Sequence, residues 1–124
     1  LDTHAFLWFV LDDKRISTKA KSIIKDSKNE IFFSAASAWE MAIKTKLDRL
    51  KIKGDLESFI IEQLSTNSFV ALSITISHSL YTDRLPQIHK DPFNRIIIAQ
   101  AIMENLKLIS TDKNIEKYPT TVVW

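Results

Sequence analysis

Apolar residues recur along this chain in two alternating rhythms, one at helical spacing and one in short β-rich runs, and each begins where the other stops. Residues 3–11 are apolar on nearly every side and read as a short buried helix ended by Asp12-Asp13-Lys14. Ser17 is placed to cap a second helix reaching about residue 27, with Ala20, Ile23 and Ile24 as its apolar stripe. A β-rich run at 30–34 leads into a strongly helical stretch at 36–47, where Trp39, Ala42, Ile43 and Leu47 fall on one face. Residues 55–64 give another amphipathic helix and 69–73 another strand. Residues 77–85 form a helix stopped by Pro86. Asp91-Pro92 opens the longest helix, carried by Ile96, Ile97, Ile98, Ala101 and Ile102, with Asn105 as its stop signal. Strand 107–110, a helical turn at 112–117 and strand 121–124 complete the chain. Alternation of this kind predicts a single small α/β domain over residues 1–124, a doubly wound parallel sheet flanked by helices. Only Leu1 precedes Asp2, whereas a strand needs about five residues, so the numbered chain is expected to begin inside its first strand.

The chemistry available is narrow. There is no cysteine, which excludes disulfides, thiolate nucleophiles and Cys-ligated zinc. Gly54 is the one glycine, so neither a dinucleotide loop nor a glycine-rich phosphate loop can be built. His4, His78 and His89 show no paired spacing and read as surface or helix-end histidines. Four acids remain: Asp2, Glu40 in SAASAWE, Asp91 in HKDPFNR and Asp112 closing KLISTD. In parallel sheets ligands collect beyond the carboxyl ends of the strands, and Asp2 and Asp112 fall just after strand-like residues. Carboxylates gathered there would bind a hard cation, Mg2+ or Mn2+. Each acid also has a purely structural use. Asp91 before Pro92 is a natural helix cap, and Asp2 and Asp112 can cap the elements that follow them.

The chain of 124 residues is 45% hydrophobic, and its formal charge of +2 is too small to imply a polyanionic partner. Local clustering says more, because Lys44, Lys46 and Arg49 follow Glu40 within a basic run that reads either as phosphate contacts or as a solvated face. The longest apolar run is too short to cross a bilayer, which predicts a soluble, cytoplasmic protein without a membrane partner.

Taken in order, LDTHAFLWFV, SAASAWEMAIKTKLDRL, LPQIHKDPFNRIIIAQA and LISTDKNIEKY resemble the PIN-domain family, and within it the VapC-type toxins of toxin–antitoxin pairs. The resemblance covers essentially the whole chain. It implies a metal-dependent endoribonuclease acting on RNA, a protein antitoxin and a homodimer. By position it carries Asp2, Glu40 and Asp112 over as catalytic acids, with Asp2 and Asp112 also as metal ligands. The third acid departs from the pattern: the subgroup reads DPFDR, whereas this chain reads Asp91-Pro-Phe-Asn94-Arg95. Asn94 offers a neutral carbonyl oxygen in place of a carboxylate. Asp91, three residues earlier on the same helical face, is the candidate to replace it both as catalytic acid and as metal ligand. Arg95 has two roles open, a phosphate contact or a salt bridge that separates the acids. Ser34, Ser37 and Thr111 are candidates to hydrogen-bond and orient the ligands.

Carboxylates sharing a cleft repel one another, so a bound cation is expected to stabilise the protein. Because of Asn94, the alternative function is a catalytically weak PIN scaffold that binds RNA or antitoxin without cutting. A receiver-like phosphoacceptor domain would also use carboxylates and magnesium at strand ends, but it calls for an acidic pair after the first strand, where Asp2 stands alone.

Overall fold

The computed structural model describes residues 1–124, and each predicted element forms. Helix α1 (Thr3–Val10) starts just after Asp2, which is still extended and whose side chain accepts the Ala5 N–H at 2.8 Å. Ser17 does the same for α2 (Thr18–Lys25), accepting from Ala20 at 3.0 Å. Strand β1 (Phe32–Ser34) runs without a loop into α3 (Ala35–Lys46), because the Ser34 hydroxyl takes the Ala36 N–H at 3.0 Å and turns the chain directly into helix. Asp55 caps α4 (Leu56–Thr66), and β2 (Val70–Leu72) follows. Helix α5 (Ile76–Tyr81) is shorter than the spacing predicts. Its end tightens into a 3-10 turn (Thr82–Arg84) before Pro86, which has no N–H with which to continue a helix. Asp91 caps α6 (Pro92–Met103), and Asn105 stops it with a positive φ of 54°, a conformation asparagine adopts more readily than most residues. Strand β3 (Leu108–Ile109), a 3-10 turn (Ile115–Lys117) and β4 (Val122–Val123) end the chain.

All strand pairing is parallel, but the sheet differs in detail from the expected one. It consists of two short ladders, β1 with β2 and β3 with β4, in place of one continuous array. The two residues ahead of α1 join them. The Leu1 nitrogen donates to the Phe32 carbonyl at 3.2 Å, and the Asp2 N–H donates to the Ile109 carbonyl at 3.1 Å on the opposite side. Hydrogen bonds to alternate sides from successive residues are the signature of a strand lying between two others. The spatial order is therefore β2, β1, residues 1–2, β3, β4. The carboxyl ends of β1, of residues 1–2 and of β3 share one edge, and they deliver Ser34, Asp2 and Ser110 to it.

Two apolar cores hold this edge in place. One gathers Phe6, Phe33, Met41 and Phe69 around α1 and β1, with the Phe6 and Phe33 rings 4.4 Å apart. The other packs Ile97, Ile98, Leu108, Ile115 and Tyr118 between α6 and β3. Burial of α1 is less complete than its composition predicts. Phe6 is fully enclosed, but Leu11 is 52% exposed, because the helix leaves the core at its last turn.

Candidate active site

Asp2 is 5% exposed, and both of its carboxylate oxygens have donors. Oδ1 accepts the Ala5 N–H, and Oδ2 accepts the Ser110 hydroxyl at 2.5 Å. Ser110 Oγ in turn accepts the Asp112 N–H at 3.0 Å, so one hydroxyl spans two of the predicted acids. On the other side of Asp2, the Thr3 hydroxyl lies 2.6 Å from Glu40 Oε1 and 2.9 Å from Ser37 Oγ, all three groups being buried. Glu40 Oε2 meets the Lys44 ammonium one turn along α3 at 2.7 Å. Glu40 is thus fixed by helix geometry at one oxygen and by α1 at the other.

Asp112 continues the chain toward α6. Its Oδ1 caps the Asn114 N–H at 2.9 Å, and its Oδ2 lies 2.8 Å from His89 Nε2. Because His89 Nδ1 accepts the Asp91 N–H at 3.2 Å, the imidazole proton sits on Nε2 and is donated to Asp112. The Asn94 side-chain nitrogen, 3.2 Å from Nε2, is then a close neighbour of that N–H, and its hydrogen bond goes to Asp91 Oδ2 at 3.3 Å. Asp91 Oδ1 caps α6 through the Phe93 N–H. A polar chain therefore crosses the edge where the strands end in two hydrogen-bonded segments, one from Lys44 through Glu40 to Thr3 and one from Asp2 through Ser110, Asp112 and His89 to the Asn94–Asp91 pair, joined by the peptide bond between Asp2 and Thr3. The four predicted acids lie along it, yet no three Asp, Glu or His side chains converge into a ready-made cation cage.

Other predicted residues take different places. Ser37 touches Thr3 as described. Ser34 bonds to Gln100 Oε1 at 2.5 Å, and Gln100 reaches back to the Ser73 carbonyl at 3.2 Å, so this pair ties β1 to α6 behind the acids. Thr111 is exposed and makes no side-chain hydrogen bond within the chain, whereas its neighbour Ser110 is 1% exposed and joins the acids. Ser110 still pairs with the sheet, its N–H donating to the Val123 carbonyl at 3.2 Å, whereas Thr111 lies past that last pairing. Lys46 and Arg49 are exposed beyond the end of the polar chain. Arg95 forms no ion pair with an acid, which corrects the salt-bridge expectation. Its guanidinium donates to the carbonyls of Thr82 (2.6 Å), Pro86 (3.0 Å) and His89 (3.3 Å), clamping the loop that presents His89. His89 itself belongs to this polar chain and is not the surface or helix-end histidine expected from spacing. Thr3, Ser110 and His89 are the site residues that motif reading missed, and the position of Thr3 beside Asp2 was the one available signal.

A small α/β domain carrying linked acids at the carboxyl edge of parallel strands is thereby defined, and the PIN domain family model matches residues 1–120. The chain belongs to that family. It is also 27% identical to ribonuclease VapC22 of Mycobacterium tuberculosis (strain ATCC 25618 / H37Rv) over 127 aligned positions, covering 98% of this chain and 95% of the relative. No solved structure matches it significantly. No helix is long and apolar enough to cross a membrane.

Proposed function

We propose that this chain is a cytoplasmic endoribonuclease of the VapC toxin type that hydrolyses RNA phosphodiesters with Mg2+ or Mn2+. One observation carries the reading: Asp2 and Asp112 share the Ser110 hydroxyl at one strand edge, and Glu40 is held beside them by the hydroxyl of Thr3, the residue next to Asp2, each acid presenting hard oxygen donors. These donors suit magnesium or manganese and offer nothing to softer metals. Asp2 and Asp112 would hold the cation, with Asp91 and Asn94 at the start of α6 completing the set and Glu40 acting nearby. When bound, the cation supplies neutralisation of phosphoryl charge and lowers the pKa of a water.

The chain's own residues do the positioning. Ser110 holds Asp2 and Asp112 in one relative geometry. The His89 Nε2–H orients the Asp112 carboxylate and leaves its remaining lone pairs free. Lys44 neutralises Glu40 and brings a positive charge to the mouth of the site, where Lys46 and Arg49 give phosphate contacts that carry no base information. Arg95 acts on substrate through the loop it clamps. Trp39, Ile43 and Leu47, exposed at four-residue spacing along α3, offer an apolar stripe to a protein antitoxin or to a second copy in a homodimer.

A specific observation also favours the catalytically weak scaffold. Asn94 supplies no charge, and its side-chain nitrogen is committed to Asp91. Cleavage of a structured-RNA pool in manganese or magnesium, with this chain, Asn94→Asp and Asp2→Asn each purified free of antitoxin, separates the readings. Cutting by the parent and not by Asp2→Asn supports the nuclease. Cutting by Asn94→Asp alone supports the scaffold, and silence from all three refutes the enzyme reading.

A further inference from the structure

Tryptophan is highly buried on average, yet Trp39 is 59% exposed. It is exposed without being loose. Its ring meets that of Phe93 at a centroid distance of 5.1 Å and an interplanar angle of 86°, an edge-to-face contact that fixes the indole while leaving most of it in water. The contact ties α3 to α6, the two helices that carry Glu40 and Asn94. Trp39 immediately precedes Glu40 and Phe93 immediately precedes Asn94, so the ring pair stands beside the acids. Cations continue from the same place. Lys46 lies seven residues after Trp39, two turns on along the same face and about 10 Å farther down the helix axis, and Arg49 follows it. Both are exposed, and neither belongs to an ion pair within the chain. One side of α3 thus presents a flat π-surface, then positive charge without a partner, next to the acids.

We infer that Trp39, braced by Phe93, is a base-stacking subsite: an unpaired RNA base lies flat on the indole while the phosphates of the same strand pass along Lys46 and Arg49. The inference rests on the reading above that the chain binds RNA, whether or not it cuts, and adds what that RNA must offer. Inside a duplex both faces of a base are covered by its neighbours, so a base free to stack on a side chain comes from a single-stranded stretch. Every base has a π-face, which makes such a contact tolerant of sequence. The brace matters because a ring already held in place loses little freedom when a base settles on it. Ile43 and Leu47, the aliphatic members of the exposed α3 stripe, have no flat face to give, and a protein seated on that stripe would cover the indole and exclude the strand.

Paired binding measurements test this. Oligoadenylate of about twelve nucleotides is compared with an abasic ribose-phosphate strand of the same length and charge, in calcium, over a period in which a gel shows the RNA intact. The chain should prefer oligoadenylate by about tenfold or more. Trp39→Phe, which keeps a π-face, should retain most of that preference, whereas Trp39→Leu, which keeps apolar bulk alone, should lose it. Lys46→Ala should instead weaken both strands alike and make binding less dependent on salt. Circular dichroism checks that each variant folds. If Trp39→Leu does not, Phe93→Leu removes the brace from the other side, and loss of the preference upholds the inference while its retention overturns it. No preference in the parent, an unaltered preference in folded Trp39→Leu, or equal losses in Trp39→Phe and Trp39→Leu overturn the stacking subsite and leave RNA binding standing. A loss in Trp39→Leu that accompanies a change from dimer to monomer in sedimentation assigns the ring to a subunit contact and also overturns it. Binding of neither strand by the parent removes the inference together with the reading beneath it.

Discussion

Ser110→Ala removes one oxygen and breaks the only direct link between Asp2 and Asp112. Ser110 is 1% exposed, so no bulk water stands ready to take its place. Its donated bond to the buried Asp2 carboxylate belongs to the charged class, worth roughly 1.5–3 kcal/mol, and its accepted bond from the Asp112 N–H adds about 1 kcal/mol. Asp2 keeps the Ala5 N–H, which limits the damage, so the expected loss is about 2–4 kcal/mol. For a domain of this length the unfolding entropy gives a fall in melting temperature of roughly 8–15 °C. Thermal and urea unfolding of Ser110→Ala and Thr111→Ala, read by circular dichroism, provide the check. Thr111→Ala should stay within about 0.5 kcal/mol of the parent, because the exposed threonine bonds to nothing within the chain. A Ser110→Ala shift below about 2 °C, or equal losses in the two variants, would refute the reasoning that this hydroxyl holds the acids together.

Three further expectations concern charge and clamping. Lys44→Ala should cost roughly 1–2 kcal/mol by leaving the buried Glu40 carboxylate with Thr3 as its main partner, and Glu40→Gln in the same chain should recover part of that loss in a double-mutant cycle. Arg95→Lys should lower stability by about 1–3 kcal/mol and, if the chain cuts RNA, reduce cleavage as well; an ammonium cannot fork to three carbonyls, and the His89 resonance in an NMR spectrum should broaden or move. Away from the site, the Arg15 guanidinium and backbone N–H hold the Asp13 carboxyl down to about 2. Since its folded pKa is depressed, this contribution is present above the ordinary carboxylate range and is lost as pH falls toward about 2. An NMR titration should place the Asp13 midpoint there and return it to the ordinary range in Arg15→Ala.

The sequence by itself determined the elements and their order. Helical and β periodicities are local properties, and caps such as Asp2, Ser17, Asp55 and Asp91 act within two or three residues of themselves. The acids, too, were legible, Asp2 and Asp112 as residue types placed after strands, Glu40 within a helix and Asp91 at a helix start. What those acids touch was decided by tertiary structure. Ser110 and Thr111 are adjacent hydroxyl residues of similar chemistry, and the pairing of Ser110 with Val123 across the sheet seats the first against Asp2 while the second, past that pairing, faces solvent. His89 joins Asp112 across 23 positions because Arg95 holds the loop that carries His89 against α6, a clamp made to backbone carbonyls that no side-chain pattern announces. The division of the sheet into two ladders bridged by Leu1 and Asp2 is likewise long-range. The two bridging hydrogen bonds, Leu1 to Phe32 and Asp2 to Ile109, join residues 31 and more positions apart, and such pairings depend on how the whole chain packs, not on any local window.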